Sequence, residues 1–166
     1  MQTHLQTLPQ PAVPAGLLTA GAEDPLITLA APATDSRIAL ISPGALDLAC
    51  SLLRQGYQTV SVVWLDDRMP AHQFDIVIIP RHATAEFIER AVPLARRLLA
   101  PMGAVALRLA PDRPEFLRAW ARQQLALNGF TAVRVATAGG ETLIGAELPM
   151  HGQLRMAGRP MPQVAQ

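Results

Sequence analysis

The chain has 166 residues, of which 50% are hydrophobic and 16% charged, and its formal net charge at pH 7 is +1. This length suits one domain with a substantial core, and so apolar a composition excludes a disordered chain. The small net charge gives no electrostatic basis for binding nucleic acid or a membrane surface. All 14 basic residues are arginines, which excludes any mechanism that needs a catalytic or phosphate-binding lysine.

The N-terminal segment is rich in proline. Residues 1–36 hold five of the 15 prolines and show little hydrophobic periodicity, which predicts a flexible arm. Within it, the apolar stretch 25–32 has a proline at each end and is compatible with a short edge strand. The segment lacks the regions typical of a signal peptide, and no apolar stretch of the chain reaches the roughly 18 residues of a membrane span. A cytoplasmic protein is therefore expected.

A strand, a turn and a helix follow. Residues 38–41 form a short apolar run that ends at the turn 42–44. Apolar residues at helical spacing over 46–55 predict a helix, and Gly56 is suited to the left-handed position just after it.

Two further apolar runs, at 59–65 and 74–79, predict strands and are separated by only eight residues. Neither run alternates with polar residues, which is typical of strands buried on both faces of a parallel sheet. The segment between them is predicted to be a loop. Thr84 is suited to cap the next helix, which Pro93 is expected to kink or split.

The second half of the chain continues the alternation. Residues 104–109 predict another strand, and Asp112 and Glu115 have the spacing of a capping box before a helix over 116–127. Gly139 and Gly140 then separate two β-prone segments, which predicts an antiparallel hairpin.

These elements indicate a single three-layer α/β domain with a mostly parallel sheet and a C-terminal antiparallel hairpin. The domain is predicted to span residues 37–149, with a flexible tail at 150–166. Ligands of such sheets bind at the carboxyl ends of the strands. The turn 42–45 and residues 80–82 are expected at that edge.

Four segments, in this order, resemble the class I S-adenosylmethionine-dependent methyltransferases, which have a Rossmann-like fold. The likeness covers about residues 37–149. The segments are IALISPGALDLACSLLRQGYQTVSVVWLDD (38–67), FDIVIIPRHA (74–83), RRLLAPMGAVALRL (96–109) and NGFTAVRVATAGGETLIGAELP (128–149).

The resemblance implies roles for particular residues. Ser42, Pro43 and Gly44 would form the loop beneath the methionine part of S-adenosylmethionine. Asp66, or alternatively its neighbour Asp67, would bind the ribose hydroxyls of that cofactor.

The methyl acceptor would bind at the end of the strand predicted at 74–79. The resemblance places residues 80–82 where the family keeps residues that face the acceptor. His82 is the candidate catalytic residue, because a histidine there can accept the acceptor's proton. The four histidines show no HxH or HxxxH spacing, so no metal site is predicted.

Three departures from the family pattern bear on function. Ser42 stands where the first loop glycine is usual, and Asp47 stands where a third glycine would be. A side chain at either place obstructs the close approach of backbone to ligand. The short segment after the second strand also omits the helix and strand that help enclose the adenine, and no substrate-binding insertion is visible.

We therefore expect a degenerate methyltransferase-like protein that acts as a non-catalytic binding or assembly subunit. Its partner would be another protein or a second copy, held by the Pro-rich arm or by an exposed sheet edge. A minimal S-adenosylmethionine-dependent methyltransferase of unknown acceptor is the alternative. A nicotinamide- or flavin-binding module is the third.

Overall fold

The computed structural model describes residues 24–42 and 44–150. In this part of the chain, helices cover both faces of a six-stranded sheet. The elements are α1 (Pro25–Ala30), β1 (Arg37–Ile41), α2 (Leu46–Arg54), β2 (Thr59–Val63), β3 (Phe74–Ala83), α3 (Ala85–Leu98), β4 (Leu99–Leu109), α4 (Pro114–Leu127), β5 (Thr131–Ala138) and β6 (Glu141–Glu147). The predicted class, a single three-layer α/β domain, is confirmed.

The strand order places β2 at one edge of the sheet. The order is β2-β1-β3-β4-β6-β5, and the first four strands are parallel. β6 is antiparallel to both of its neighbours, which gives the predicted C-terminal hairpin. Residues 66–73 form neither helix nor strand, as predicted, but β2 ends at Val63, two residues earlier than predicted. In the described part of the chain, β2 therefore has no strand on its outer side.

Alternate residues of the central strands enter two separate cores. Ile38 and Leu40 of β1 lie in the core beneath α1 and α2, whereas Ala39 and Ile41 lie in the core beneath α3 and α4. All four are fully buried, which explains why the run lacks polar alternation. Burial of each Ile or Leu contributes about 1.5–3 kcal/mol, so apolar packing holds both helical layers to the sheet.

The segment predicted as an edge strand at 25–32 is instead helix α1. Asp24 is its N-cap, with a side-chain oxygen that accepts a hydrogen bond from the Leu26 amide at 2.9 Å. Pro25 occupies the first helical position, where its missing N–H and fixed φ are favourable. Leu26, Ile27 and Ala30 are buried against the sheet, so the Asp-Pro pair and the spacing of apolar residues determine a helix.

The capping box predicted at the start of α4 is also wrong. The N-cap is Arg113, at φ +55°, and it makes no side-chain capping hydrogen bond. Pro114 takes the first helical position, so the helix begins after Asp112 and Glu115 falls within its first turn. There the Glu115 side chain pairs with Arg118.

Two prolines lie inside elements that they were expected to end or divide. β3 continues through Pro80 to Ala83, and its pairing with β4 is irregular between Ile79 and His82. Proline is tolerated at such a bulge because no ladder hydrogen bond is needed from it. Pro93 does not split α3, because the residues on either side are buried against the sheet. No helix in residues 24–42 and 44–150 has the length and hydrophobicity to cross a membrane.

Candidate functional site

The turn after β1 lies at the carboxyl edge of the sheet. Ser42 directly follows the strand and is 2% exposed. Gly44 has φ +78°, a left-handed conformation that favours glycine. Pro43, predicted with them as a cofactor residue, lies outside the described residues. The first helical turn of α2 follows, and it contains Asp47.

Gly44 is in close contact with the side chain of Arg81. A Cβ added at Gly44 would lie 2.5 Å from Nη2 and 3.2 Å from Cζ of Arg81. The absence of a side chain at position 44 therefore admits the guanidinium of Arg81. The resemblance assigns this space over the turn to the methionine part of S-adenosylmethionine, and in this structure the side chain of Arg81 lies there.

Asp66 lies after the end of β2, in the loop to β3. Its Oδ1 is 3.0 Å from Nη2 of Arg90, and its side chain is 91% exposed. Arg90 belongs to α3, which covers the face of the sheet opposite to α2. The neighbouring Asp67 accepts a hydrogen bond from the Trp64 amide at 2.8 Å. The structure thus pairs Gly44 with Arg81 and Asp66 with Arg90.

His82 is part of a charged network at the same edge. Its Nε2 is 3.0 Å from Oε1 of Glu141, the first residue of β6. Glu141 Oε2 is 3.1 Å from Nε of Arg108, and Arg108 Nη2 donates a 2.7 Å hydrogen bond to Asp24. The contact with Glu141 uses Nε2 of His82.

Arg108 is the residue at this edge that sequence reasoning missed. It is paired with His82 in the β3–β4 register, and its side chain is 18% exposed. Its Nε is buried and makes no hydrogen bond, despite the short distance to Glu141. A charge inside an otherwise apolar strand must be paired. From the sequence, this rule predicts that Arg108 has an acidic partner, but it does not identify Asp24 or Glu141 as that partner.

Three of the surface depressions that are lined by described residues lie along the carboxyl edge. One of about 380 Å³ is lined by Pro80, Arg81, His82 and Arg108. The others, of about 290 and 210 Å³, lie near the beginnings of α3 and α4 and share Thr84. Asp66 lines none of the three. Across residues 24–42 and 44–150, no group of three or more His, Cys, Asp or Glu side chains is placed to hold a metal ion.

No family model and no curated protein matches the chain. Among solved structures, the ribosomal protein L11 methylase from Lactobacillus delbrueckii subsp. bulgaricus matches with a TM-score of 0.59 and 16% identity, over 75% of this chain and 77% of that one. A structure of the Haloferax volcanii Trm112 methyltransferase activator in complex with a putative methyltransferase matches with a TM-score of 0.56 and 11% identity, over 75% of this chain and 88% of that one. A putative methyltransferase from Bacillus halodurans matches with a TM-score of 0.52 and 14% identity, over 76% of this chain and 98% of that one.

These likenesses establish a class I methyltransferase-like Rossmann fold. At such identities they show the fold alone. The chain spans 50% of the length of the CurJ carbon methyltransferase, which it matches with a TM-score of 0.49.

Proposed function

We propose that this protein is a methyltransferase-like subunit that binds or assembles with another molecule and does not transfer methyl groups. The observation that carries the proposal is the contact between Arg81 and Gly44. In a cofactor loop, glycine is needed so that the backbone can approach the ligand closely. Here the group that lies close to the backbone of Gly44 is the guanidinium of Arg81, a side chain of the protein itself.

The charge of Arg81 also opposes this cofactor. S-adenosylmethionine carries a sulfonium and an ammonium group near the methionine end, and both are positive. The guanidinium of Arg81 would repel these two groups and attract the carboxylate of the cofactor, and it also occupies space over the turn.

The position of Asp66 supports the same proposal. A carboxylate that holds ribose hydroxyls must be directed at the ligand and at least partly shielded from water. The Asp66 side chain is 91% exposed and paired with Arg90 on α3. Because water competes for an exposed carboxylate, it would add little to the binding of a ribose.

The outer edge of β2 supports an assembly role. Thr59–Val63 has no strand on that side in the described part of the chain. Leu53 of α2, 49% exposed, and Trp64, 53% exposed, add apolar surface near this strand. Exposed strand edges are templates for pairing with a further strand, which a protein partner or a second copy could supply.

Calorimetry with S-adenosylmethionine and, separately, S-adenosylhomocysteine tests the first half of the proposal. We expect no saturable heat with the wild-type chain, and none with Asp66→Ala. Tight binding to the wild type that Asp66→Ala abolishes would overturn the proposal and leave the minimal methyltransferase. The minimal methyltransferase is the second candidate function. It is favoured by the shared fold and by the glycine at position 44, and His82 would then accept the proton of the methyl acceptor.

Proline substitution along β2 tests the second half. Adjacent residues of a strand direct their amides to opposite sides, so Ser61→Pro and Val62→Pro differ in whether the inner or the outer amide is lost. The variant that keeps its thermal stability is the one altered at the outer edge. Sedimentation should show that this variant loses self-association or the complex with a defined partner, and unchanged association would argue against the β2 edge.

A further inference from the structure

We infer that the depression lined by Pro80, Arg81, His82 and Arg108 binds the phosphate or carboxylate group of a small molecule. The inference deepens the proposed function and rests on it, because it gives another ligand the edge of the sheet that a methyltransferase uses for its cofactor. The volume, about 380 Å³, lies within the range of small-ligand sites.

Arg81 is the group that makes the depression attractive to an anion. It forms no ion pair with any described residue, and its guanidinium lies close to the backbone of Gly44 in the turn after β1. A guanidinium presents paired N–H donors that match the two oxygens of a carboxylate or phosphate.

Arg108 lies in the same wall, where two carboxylates pair with it. Asp24 and Glu141 both contact Arg108, and neither forms an ion pair with Arg81. The charge of Arg108 is therefore balanced within the protein, whereas Arg81 has no carboxylate partner among the described residues. The next group in the wall, His82, is turned by its Nε2 towards Glu141 and lies beside Arg108 in the strand register.

The few donors in the lining and the small net charge of the chain favour a small ligand over an extended one. Pro80 is buried and has no amide to donate, so the arginine side chains and His82 are the donors available in this lining. The net charge of the whole chain is only +1, and this does not favour an extended polyanion. A single oxyanion group on a small molecule fits both facts.

Titrations of the full chain test the inference. Orthophosphate and succinate are added separately at low ionic strength, with sodium chloride at matched ionic strength as the reference, and binding is followed by calorimetry and amide NMR shifts. We expect saturable binding of at least one of the two probes. The probe that binds more tightly tells whether the site prefers phosphate or carboxylate.

Arg81→Gln should weaken that binding by about tenfold or more, since a charge-assisted hydrogen bond is lost. Arg122→Gln is the matched control. Arg122 is exposed on α4 and forms no ion pair with any described residue, so this variant should bind as the wild type does. Absent or unsaturable binding of both probes, or equal weakening in the two variants, would overturn the inference.

A parallel titration with S-adenosylhomocysteine keeps the two proposals separate. If S-adenosylhomocysteine does not bind and orthophosphate or succinate does, the proposed function and the oxyanion site are both supported. If neither S-adenosylhomocysteine nor either probe binds, only the oxyanion site is ruled out. If S-adenosylhomocysteine binds, and binding of either probe is lost in Arg81→Gln, the proposed function is ruled out and the oxyanion site is supported.

Discussion

The guanidinium of Arg81 rests on the backbone of Gly44, so close that a Cβ at position 44 would be 2.5 Å from its Nη2. The two residues join the turn after β1 to the carboxyl end of β3. A glycine in this turn is compatible with a cofactor loop, yet here its missing side chain is used by an arginine of the same chain. Under the proposed function, this contact is the feature that distinguishes the protein from the methyltransferases that share its fold.

Gly44→Ala should separate the role of the turn from the stability of the domain. Gly56 is the matched control, because it also has positive φ, +97°, but no heavy atom within 4 Å of an added Cβ. Alanine at either site is strained by about 1–2 kcal/mol, and Arg81 can swing away at little further cost. We expect similar losses in urea unfolding.

The two glycine variants should differ in ligand binding. Displacement of Arg81 should weaken orthophosphate or succinate binding in Gly44→Ala and leave it unchanged in Gly56→Ala. Equal binding in both variants would show that the contact between Arg81 and Gly44 does not position the guanidinium.

Arg108→Leu should destabilise the domain and loosen α1. The substitution leaves the carboxylates of Asp24 and Glu141 without their arginine, in a partly buried place. We expect a loss of about 1–3 kcal/mol in the free energy of unfolding. Hydrogen exchange should accelerate at the amides of α1, because Asp24 is its N-cap.

The control for Arg108 is Arg134→Leu. Arg134 forms a single ion pair with Glu147, and both side chains are about half exposed. Such a pair contributes no more than about 1 kcal/mol, and its loss should not change exchange in α1. A loss in Arg108→Leu no larger than that in Arg134→Leu would mean that the network does not hold α1.

Asp75→Asn should reduce stability in a pH-dependent way. Arg37 donates hydrogen bonds to both carboxylate oxygens of Asp75, at 2.7 to 3.1 Å, and thereby lowers the pKa of Asp75. A lowered folded-state pKa adds stability above the unfolded value of about 3.9. That stability is lost as the pH falls through the lower pKa of the folded state.

The effect should be small, because the two side chains are 46% and 40% exposed. Urea unfolding at pH 7 should show a loss of about 0.5–1 kcal/mol in the Asn variant. The difference from wild type should shrink as the pH falls below about 4. A difference that stays constant with pH would mean that the charge of Asp75 is not what stabilises this end of the sheet.

Gly103→Ala should be more disruptive than Gly145→Ala. A Cβ at Gly103 would lie 2.9 Å from the backbone oxygen of Ala100 and 3.0 Å from that of Asp75. Backbone cannot move aside easily, so the cost should be about 2–3 kcal/mol. At Gly145 the nearest atom is Leu29 Cγ, at 3.2 Å, and this side chain can shift. Thermal unfolding of the two variants checks the order.

Local sequence patterns predicted the sheet well because burial determines them. The runs at 38–41 and 74–79, which do not alternate with polar residues, predicted strands covered on both faces, and they are buried except at Asp75. The similar run at 59–65 lies at the edge of the sheet, and only Val63 in it is buried. Gly56 and Gly139–Gly140 have the positive φ values that their turns need. The errors occurred where two local signals competed. At Pro25 the flanking prolines suggested a strand edge, whereas Asp24 and the apolar spacing favoured a helix.

The site was less predictable than the fold. Ser42, Gly44, Asp66 and His82 all lie at the carboxyl ends of strands or in the loops that follow them, as the alternation of strands and helices indicates. Their contacts, however, do not follow from any motif: Arg81 was expected at this edge but not beside Gly44, and no motif marks Arg90 or Glu141. Gly44 meets Arg81, Asp66 meets Arg90, and His82 meets Glu141.

By itself, the sequence determined which residues are buried, where the chain turns and hence the class of fold, since these follow from hydrophobic spacing and backbone preference within a few residues. The tertiary structure alone decided which charges meet. His82 and Glu141 are 59 positions apart, and Arg108 and Asp24 are 84 positions apart. Such pairs form only after strand order and helix docking bring their elements together. The spacing of residues within one segment of sequence does not predict that arrangement.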